Sequence, residues 1–324
     1  MAGFLIRRAF VSALLLIGVV TITFLLIHAA PGDPADLYVT KEMSAQTRAE
    51  ILAAYGLDKP LPVQYLTWLS DVARGRLGWS IAHHRPVADL LAERIPLTLE
   101  LTLAAFALHL LLGIAAGVLA AWRRGSVWDA FAYGGTTLIY SLPLFWLGTV
   151  MILVFSLRLG WLPSGGVADL AAGPMSLPAA MVDRLRHLIL PALCLGLGSA
   201  ACAARFVRAG MLSALSQEYV SAARARGAGE TRVLVRHALS NALLPVITTA
   251  GMTLPFLFGG SLLVESVFSW PGMGSLSVEA LFTRDYPVML ATQLLLAALV
   301  VAGSFAADIA LALADPRLRE GWLP

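Results

Sequence analysis

Uncharged apolar runs separate polar segments along this chain, and the length of the runs indicates membrane spans. The first run, residues 9–30, has about the 20 residues that a helix needs to cross a hydrocarbon core. The pattern therefore predicts an all-α membrane protein with six transmembrane helices. The other five runs are residues 101–122, 130–157, 188–204, 238–264 and 287–307, and the fourth of the six is the shortest.

The first run has two interpretations. Arg7 and Arg8 precede it, as basic residues precede the apolar centre of a cleavable signal peptide. The run is longer than such a centre, however, and the residues at 31–34, Pro-Gly-Asp-Pro, do not form a small-x-small cleavage site. We therefore interpret it as a retained first helix.

Residues 31–97 form a mixed-charge segment without an apolar run long enough to span a membrane. Turn signals divide it, among them Pro31-Gly32, Lys59-Pro60 and Arg85-Pro86. Between them, apolar residues have helical spacing over 44–55 and 63–72. The segment is expected to be a small folded region outside the cytoplasm.

The arginines predict how the chain is oriented. Basic residues collect in the cytoplasmic loops of membrane proteins. An even number of spans then places both termini in the cytoplasm. This predicts a first unit at 1–97, a five-helix core at 98–314 with a cytoplasmic loop at 205–237, and a cytoplasmic tail at 315–324. The arginines that fall on one side are Arg7, Arg8, Arg123, Arg124, the cluster within 205–236, Arg317 and Arg319.

Composition supports a membrane protein and argues against a nucleic-acid-binding protein. Apolar residues make up 58% of the chain and charged residues 13%, against about 25% charged in soluble domains. The net charge of +3 is spread over several loops, so no nucleic-acid surface is expected. Cys194 and Cys202 lie in one apolar run without metal-ligand spacing, and we interpret them as packing residues.

Residues 217–248 form an arginine-rich polar segment that runs into the fifth apolar run. Ser216 is a candidate cap for a short helix, and Glu218 falls in its first turn, where the helix dipole favours an anion. Gly227 is suited to the left-handed residue that ends such a helix, and a second short amphipathic stretch covers 230–237. The pattern indicates a surface loop that contacts a partner, with an ordinary cytosolic loop as the alternative.

The residues of this loop resemble a known motif. Glu218, Ala222 or Ala223, Ala225 and Gly227 match the pattern Glu-x-x-x-Ala-x-Ala-x-Gly of the EAA loop of bacterial ABC importer permeases. In that family the loop forms a coupling helix that sits in a groove of the ATPase subunit. The resemblance implies an ATPase-coupling role for these residues and for the neighbouring Tyr219, with Tyr219 and Ala223 expected to face the groove.

Other segments extend the resemblance over nearly the whole chain. Residues 28–35, 55–69 and 75–80 are similar to the N-terminal half of the peptide and nickel importer permeases, and specifically to the first of their two permease subunits. Further matches are residues 268–274, 284–288 and 314–319.

The resemblance implies a type I ABC importer fold in the bacterial inner membrane. It also implies a second, related permease, two ATPase subunits that bind ATP and magnesium, and an extracytoplasmic solute-binding protein. Transport of di- or oligopeptides by alternating access is the implied function, with nickel, metallophores or glutathione as alternative substrates.

Four residues are candidates for the substrate path. Glu100 stands at one end of the second span, where an ionisable side chain is a functional candidate. Tyr140, Pro143 and Trp146 interrupt the third span and are candidates for shaping a path. Proline also kinks spans that have no transport role, so a structural role is the alternative. Glu265 follows the last apolar residue of the fifth span and is likewise a candidate for substrate contact, with a structural role as the alternative.

The histidines do not predict a metal site. His28 and His109 lie singly within spans, where a neutral histidine bonded between helices is the more common arrangement. His83 and His84 are adjacent, so their side chains diverge on a regular backbone.

No enzyme motif is present in the sequence. The only lysines, Lys41 and Lys59, are not in a Gly-Lys-Ser/Thr context, so the chain has no P-loop for ATP. We therefore expect a transport subunit without cofactors of its own. The rivals from other classes are a secondary transporter that works without ATPases and a membrane anchor that recruits a soluble partner. The halves show no self-similarity that would favour the former.

Overall fold

The computed structural model describes residues 2–29, 46, 58–169, 171 and 173–314. The regular secondary structure of these residues is helical apart from one small antiparallel hairpin. In chain order the elements are α1 Ala2–Ala29, α2 Leu61–Ala73, β1 Trp79–Ser80, β2 Arg85–Pro86, α3 Val87–Trp122, α4 Val127–Ser141, α5 Leu144–Met151 with a π-helical continuation Ile152–Arg158, α6 Leu177–Leu215, α7 Glu218–Ala225, α8 Glu230–Arg232 with a π-helical continuation Val233–Leu239, α9 Ser240–Val267, α10 Met273–Phe282 and α11 Tyr286–Ala314.

Helices occur at every predicted apolar run, although they differ from the runs in length. Among the described residues, four helices are long and apolar enough to cross a membrane: Ile6–Ala29, Val87–Trp122, Leu177–Leu215 and Tyr286–Ala306. The fifth run lies in α9, and the third is divided between α4 and α5. The predicted helix within 63–72 is present as α2, whereas the one predicted at 44–55 and the tail at 315–324 fall outside the described residues, except for residue 46.

The prediction of a short fourth helix is wrong. Residues 188–204 belong to α6, which has 39 residues and is about 58 Å long at 1.5 Å per residue. The apolar run begins after Arg186 and His187 and ends before Arg205, because the arginines carry charge. Charge does not end a helix when the side chain finds a partner: Arg186 donates to the Trp161 carbonyl at 3.1 Å, and Arg205 lies near the Tyr140 ring.

Close packing of α3 on α6 forms the centre of the molecule. Gly113 and Gly117 of α3 lie against α6 so closely that an added Cβ would stand 2.6 Å from the Cβ atoms of Ala203 and Val207, respectively. Residues spaced as Gly-x-x-x-Gly allow this approach between helices that lack a hydrophobic driving force in lipid. Any larger side chain there would separate the two helices.

The short helix α4 is fastened to α6 by two contacts. Arg208 donates from Nε and Nη2 to the two carboxylate oxygens of Asp129, each at 2.8 Å. The guanidinium of Arg205 lies 5.5 Å from the ring centroid of Tyr140, near the other end of α4. The Arg208 hydrogen bonds, and then the Gly125 N–H, lower the pKa of Asp129 to about 2.

This ion pair predicts an acid limit on stability. The pKa of Asp129 is about 2 in the folded protein, below the ordinary value of 3.8. A depressed carboxyl pKa contributes stability that is complete above pH 4 and is lost as the pH falls from about 4 to 2. The difference in unfolding temperature between the wild type and Asp129→Asn in detergent should therefore be constant from pH 7 to pH 5, shrink as the pH falls below about 4, and vanish below pH 2.

The matched control for that experiment is Asp58→Asn, because Asp58 is exposed. The unfolding temperature of Asp58→Asn should differ little from that of the wild type over the whole pH range. A difference for Asp129→Asn that persists unchanged at pH 2 would show that the Arg208–Asp129 contact does not stabilise the fold through its charge.

Candidate functional site

The segment after α6, which we call the coupling loop, comprises residues 216–239 and begins with α7. Val220 and Ala223 are 0% and 3% exposed, so one face of α7 lies on the body of the protein. Glu218, Tyr219 and Ala222 are exposed, as is Ala225 one turn further on. The helix therefore has a fixed inner face and a free outer face that carries most of the predicted coupling residues.

Ala223 does not lie where the sequence analysis expected it. It was expected to face a partner groove together with Tyr219, but its side chain is buried within this chain. Alanine fits there because the helix approaches the body closely, so Ala223 positions α7. Tyr219 is on the exposed side, 41% exposed, with its hydroxyl donating to the His237 carbonyl at 3.4 Å.

The start of α7 also differs from the prediction. Its N-cap is Gln217, without a side-chain cap, and Glu218 occupies the first turn as expected. Ser216 is not the cap, because it is the residue that ends α6 and its hydroxyl donates to the Ser213 carbonyl at 2.8 Å. Only Ser216 and Gln217 separate the two helices, so a displacement of α7 acts directly on α6.

Gly227 ends α7 in the left-handed conformation, as predicted, with φ of 83°. Its N–H donates to the Arg224 carbonyl at 2.9 Å, and the Ala228 N–H donates to the Ala223 carbonyl at 3.1 Å. These two bonds form a Schellman motif, which favours glycine at this position. A Cβ there would meet no atom within 4 Å, so the backbone conformation alone requires glycine.

The second half of the coupling loop anchors α7 to the rest of the molecule. Arg224 pairs with Glu230 across the glycine turn, with a nitrogen–oxygen distance of 2.9 Å. Leu234 and Ala238 are buried in one cluster with the inner parts of α3 and α6. That cluster contains Ala121, Val207, Met211, Ala214, Leu234, Ala238, Ala242 and Val246. The orientation of α7 is therefore set by the packing between α3 and α6.

Glu100, the first of the predicted path residues, is held by this chain's own arginine. Arg184 Nε donates to Glu100 Oε1 at 3.0 Å, and its Nη1 donates to the Val167 carbonyl at 3.2 Å. The same guanidinium lies 4.7 Å from the ring centroid of Trp270. Glu100 thus helps join α3, α6 and the turn before α10, and its carboxylate is already neutralised.

The other three predicted path residues lie at a different level. The chain breaks between α4 and α5 at Leu142, whose ψ is 139°, and Pro143 is the N-cap of α5. Tyr140 and Trp146 flank this break and are 58% and 46% exposed. Tyr140 contacts Arg205, which is about 30 Å from Arg184 along α6. The structure therefore does not bring Glu100 together with Tyr140, Pro143 and Trp146.

Sequence reasoning did not anticipate the role of Glu265. Its carboxylate is 0% exposed and accepts from Thr98 Oγ1 at 2.8 Å and from the Ser275 N–H at 3.0 Å. Ser275 is in the first turn of α10, so Glu265 caps that helix from a neighbouring one. An added Cβ on Gly272 would stand 2.5 Å from this carboxyl group. Glu265 is thus enclosed within this chain, where it joins α9 to α3 and α10.

Asp285 acts in the same way before α11. Its buried Oδ2 accepts from Ser80 Oγ at 2.5 Å and from the N–H groups of Ile81 and Ala82, both at 3.0 Å. Its Oδ1 accepts from the Val288 N–H at 3.4 Å, in the first turn of α11. Asp285 therefore joins residues 75–80 to residues 284–288, two of the segments on which the resemblance depends. Glu265 lies against Gly272 in a third, residues 268–274.

Of the four histidines weighed above, His28 and His83 have local partners within this chain. His28 Nδ1 lies 2.8 Å from the Phe24 carbonyl, and His83 Nε2 lies 3.5 Å from Glu279 Oε1. His109 is buried in α3, and His84 occupies a left-handed position with φ of 52°. Among the residues that the structure describes, no three histidine, cysteine or carboxylate side chains converge as metal ligands.

Comparison with known proteins agrees with this architecture. Residues 113–320 match the family model described as the binding-protein-dependent transport system inner membrane component, and residues 1–102 match the N-terminal model of such membrane components. The oligopeptide transport system permease protein AppB of Bacillus subtilis is 42% identical over 98% of this chain and 99% of its own length. The dipeptide transport system permease protein DppB of Escherichia coli K12 is 36% identical over 99% of each chain.

A solved structure shares the fold. A chain of the MetNI methionine ABC transporter in an inward-facing conformation superposes with a TM-score of 0.55 and 22% identity. The superposition covers 70% of this chain and 96% of that one. With two matching family models and relatives of similar length, the chain belongs to the family of binding-protein-dependent transport system inner membrane components.

Proposed function

We propose that this chain is the first permease subunit of an ATP-driven importer of di- or oligopeptides. The observation that carries the proposal is the exposed outer face of α7, which the Schellman turn at Gly227 and the buried Ala223 hold in position. Such a face suits insertion into a groove on an ATPase subunit. The relatives named for oligopeptide and dipeptide transport support the substrate class.

The path of force in this proposal follows α6. An ATPase that displaces α7 acts on α6 through the two-residue connection Ser216–Gln217. Because α6 is one helix of 39 residues, the displacement reaches Arg184 at its far end. There Glu100 and Trp270 connect it to α3 and to the turn before α10. The substrate-path role of Tyr140, Pro143 and Trp146 belongs to this proposal, since the break between α4 and α5 supplies a flexible point.

The partners proposed for this chain are a second related permease, two ATPase subunits and an extracytoplasmic solute-binding protein. ATP and magnesium would be bound by the ATPases, because the sequence has no P-loop. The coupling roles of Glu218, Tyr219, Ala222 and Ala225 are part of the same proposal. Nickel, metallophore or glutathione import by the same machinery has no separate observation in its favour.

Six spans with both termini in the cytoplasm complete the proposal. In that orientation the coupling loop faces the cytoplasm, and residues 31–97 lie outside. The loop and the Glu100–Arg184 pair lie toward opposite ends of α6, as this arrangement requires. The arginines at 205–236 accompany the coupling loop.

Replacing Gly227 by valine tests the coupling role. A β-branched residue in the left-handed conformation costs about 1–2 kcal/mol, which corresponds to a 5- to 30-fold shift in a conformational equilibrium. The loop should relieve that strain by turning α7 away from its observed direction. We expect Gly227→Val to insert and fold normally, to retain less ATPase on co-purification and to lose peptide uptake.

Two variants serve as controls for that experiment. Gly229→Val introduces the same side chain two residues later, where φ is −63° and no atom lies within 4 Å, and it should retain uptake. Gly227→Asn should retain most uptake because asparagine tolerates the left-handed conformation. Normal uptake by Gly227→Val would mean that the loop is only a connector, and failure to insert would mean that its role is in folding.

Thiol labelling tests the proposed orientation. In a chain whose Cys194 and Cys202 are replaced, a cysteine introduced at the exposed Lys59 should react with a membrane-impermeant reagent in intact cells. A cysteine at the exposed Thr231 of the coupling loop should react only after the membrane is opened. Labelling of both positions from the same side would contradict the six-span arrangement.

A further inference from the structure

The connection between α3 and α4 presents aromatic and aliphatic side chains to its surroundings. Only residues 123–126 separate the two helices. Trp122 and Trp128, on either side of the connection, are 50% and 54% exposed. Val127 and Phe131, one turn apart on α4, are 79% and 78% exposed. Side chains of this size are too apolar to face water in such a group without a reason.

Two exposed arginines occupy the same connection. Arg123 and Arg124 are both exposed, and the guanidinium of Arg123 lies 4.7 Å from the ring centroid of Trp122. Among the described residues neither has a carboxylate within ion-pair distance. The nearby carboxylate of Asp129 is already paired with Arg208. Within the part of the chain that the structure describes, the surface therefore carries two positive charges that no paired carboxylate balances.

This surface lies at the same end of the molecule as the coupling loop. Ala121, directly before Trp122, is buried in one cluster with Leu234 of that loop and Val207 of α6. From the connection, the exposed stripe of Val127 and Phe131 continues along α4 to Leu138, which is 65% exposed. The apolar stripe matches the hydrocarbon core of a membrane, and the tryptophans and arginines at its end match the headgroup region that follows.

We propose that the surface formed by Trp122, Arg123, Arg124, Val127, Trp128 and Phe131 binds an anionic phospholipid of the leaflet next to the coupling loop. The guanidinium groups would hold the phosphate, since arginine forms charge-assisted bonds with phosphate oxygens. Trp122 and Trp128 would lie at headgroup level, and Val127 and Phe131 would contact the acyl chains. Which leaflet this is depends on the proposed orientation, but the existence of the surface does not.

Charge favours a lipid over a second protein as the occupant. A protein partner would have to place carboxylates beside an apolar stripe that runs along α4. An anionic phospholipid carries a negatively charged phosphate and apolar acyl chains in one molecule. A bound lipid would also stabilise the residues on which α7 packs, because Ala121, next to the surface, and Leu234 of the coupling loop share one buried cluster. We therefore expect anionic lipid to rigidify the coupling loop.

Native mass spectrometry of the purified chain, titrated with phosphatidylglycerol or phosphatidylcholine, tests the proposal. Each arginine near an anionic lipid surface contributes about a five-fold gain in affinity. Arg123→Gln combined with Arg124→Gln should therefore weaken the binding of the first phosphatidylglycerol by roughly 25-fold and leave phosphatidylcholine unchanged. The corresponding double lysine variant should keep most of the affinity, because it keeps the charge.

The matched control is Arg226→Gln, an exposed arginine at the same end whose Nε is bonded to the Ala222 carbonyl. It should leave the binding of the first phosphatidylglycerol unchanged. Equal binding of the two lipids by the wild type, or full phosphatidylglycerol affinity in the double glutamine variant, would overturn the proposal. The measurement needs neither ATPase subunits nor a transported solute, so its outcome is independent of the proposed transport function.

Discussion

The contact between α3 and α6 is the one on which the rest of the structure depends. Gly113 and Gly117 bring the two backbones so close that side chains of α6 occupy the space of the missing Cβ atoms. Lipid offers no hydrophobic gain for joining two apolar helices, so close van der Waals packing has to hold them together. At one end of this contact lies the cluster that supports the coupling loop, and toward the other lies the Glu100–Arg184 pair.

The arrangement explains how a helix can carry charge through an apolar protein. Arg184 and Arg208 are each paired with a carboxylate, and Arg205 lies on an aromatic ring. The buried carboxylates Glu265 and Asp285 instead accept N–H groups at the beginnings of α10 and α11. Each of these five charged side chains therefore has a local counterpart on another element. Polar groups that would be costly alone thus fix the relative positions of the helices.

Much of the fold could be predicted from the sequence because spanning a membrane imposes length and hydrophobicity on each helix. The left-handed Gly227 was predictable because its motif is local. The length of α6 was not, since its arginines are balanced by residues far away in the sequence. Glu265 was missed for the same reason, because its partner Thr98 is 167 residues distant along the chain. The inward orientation of Ala223 depends on tertiary packing, which a short sequence motif does not specify.

The most direct test of ATP-driven import is uptake of a labelled dipeptide by liposomes that contain this chain. The measurement compares the chain alone with the chain assembled with a second permease, ATPase subunits and a binding protein, each with and without ATP. The account predicts uptake, accompanied by ATP hydrolysis, only in the complete assembly supplied with ATP. Uptake by the chain alone in the absence of ATP would contradict it and would indicate a transporter that works without ATPases.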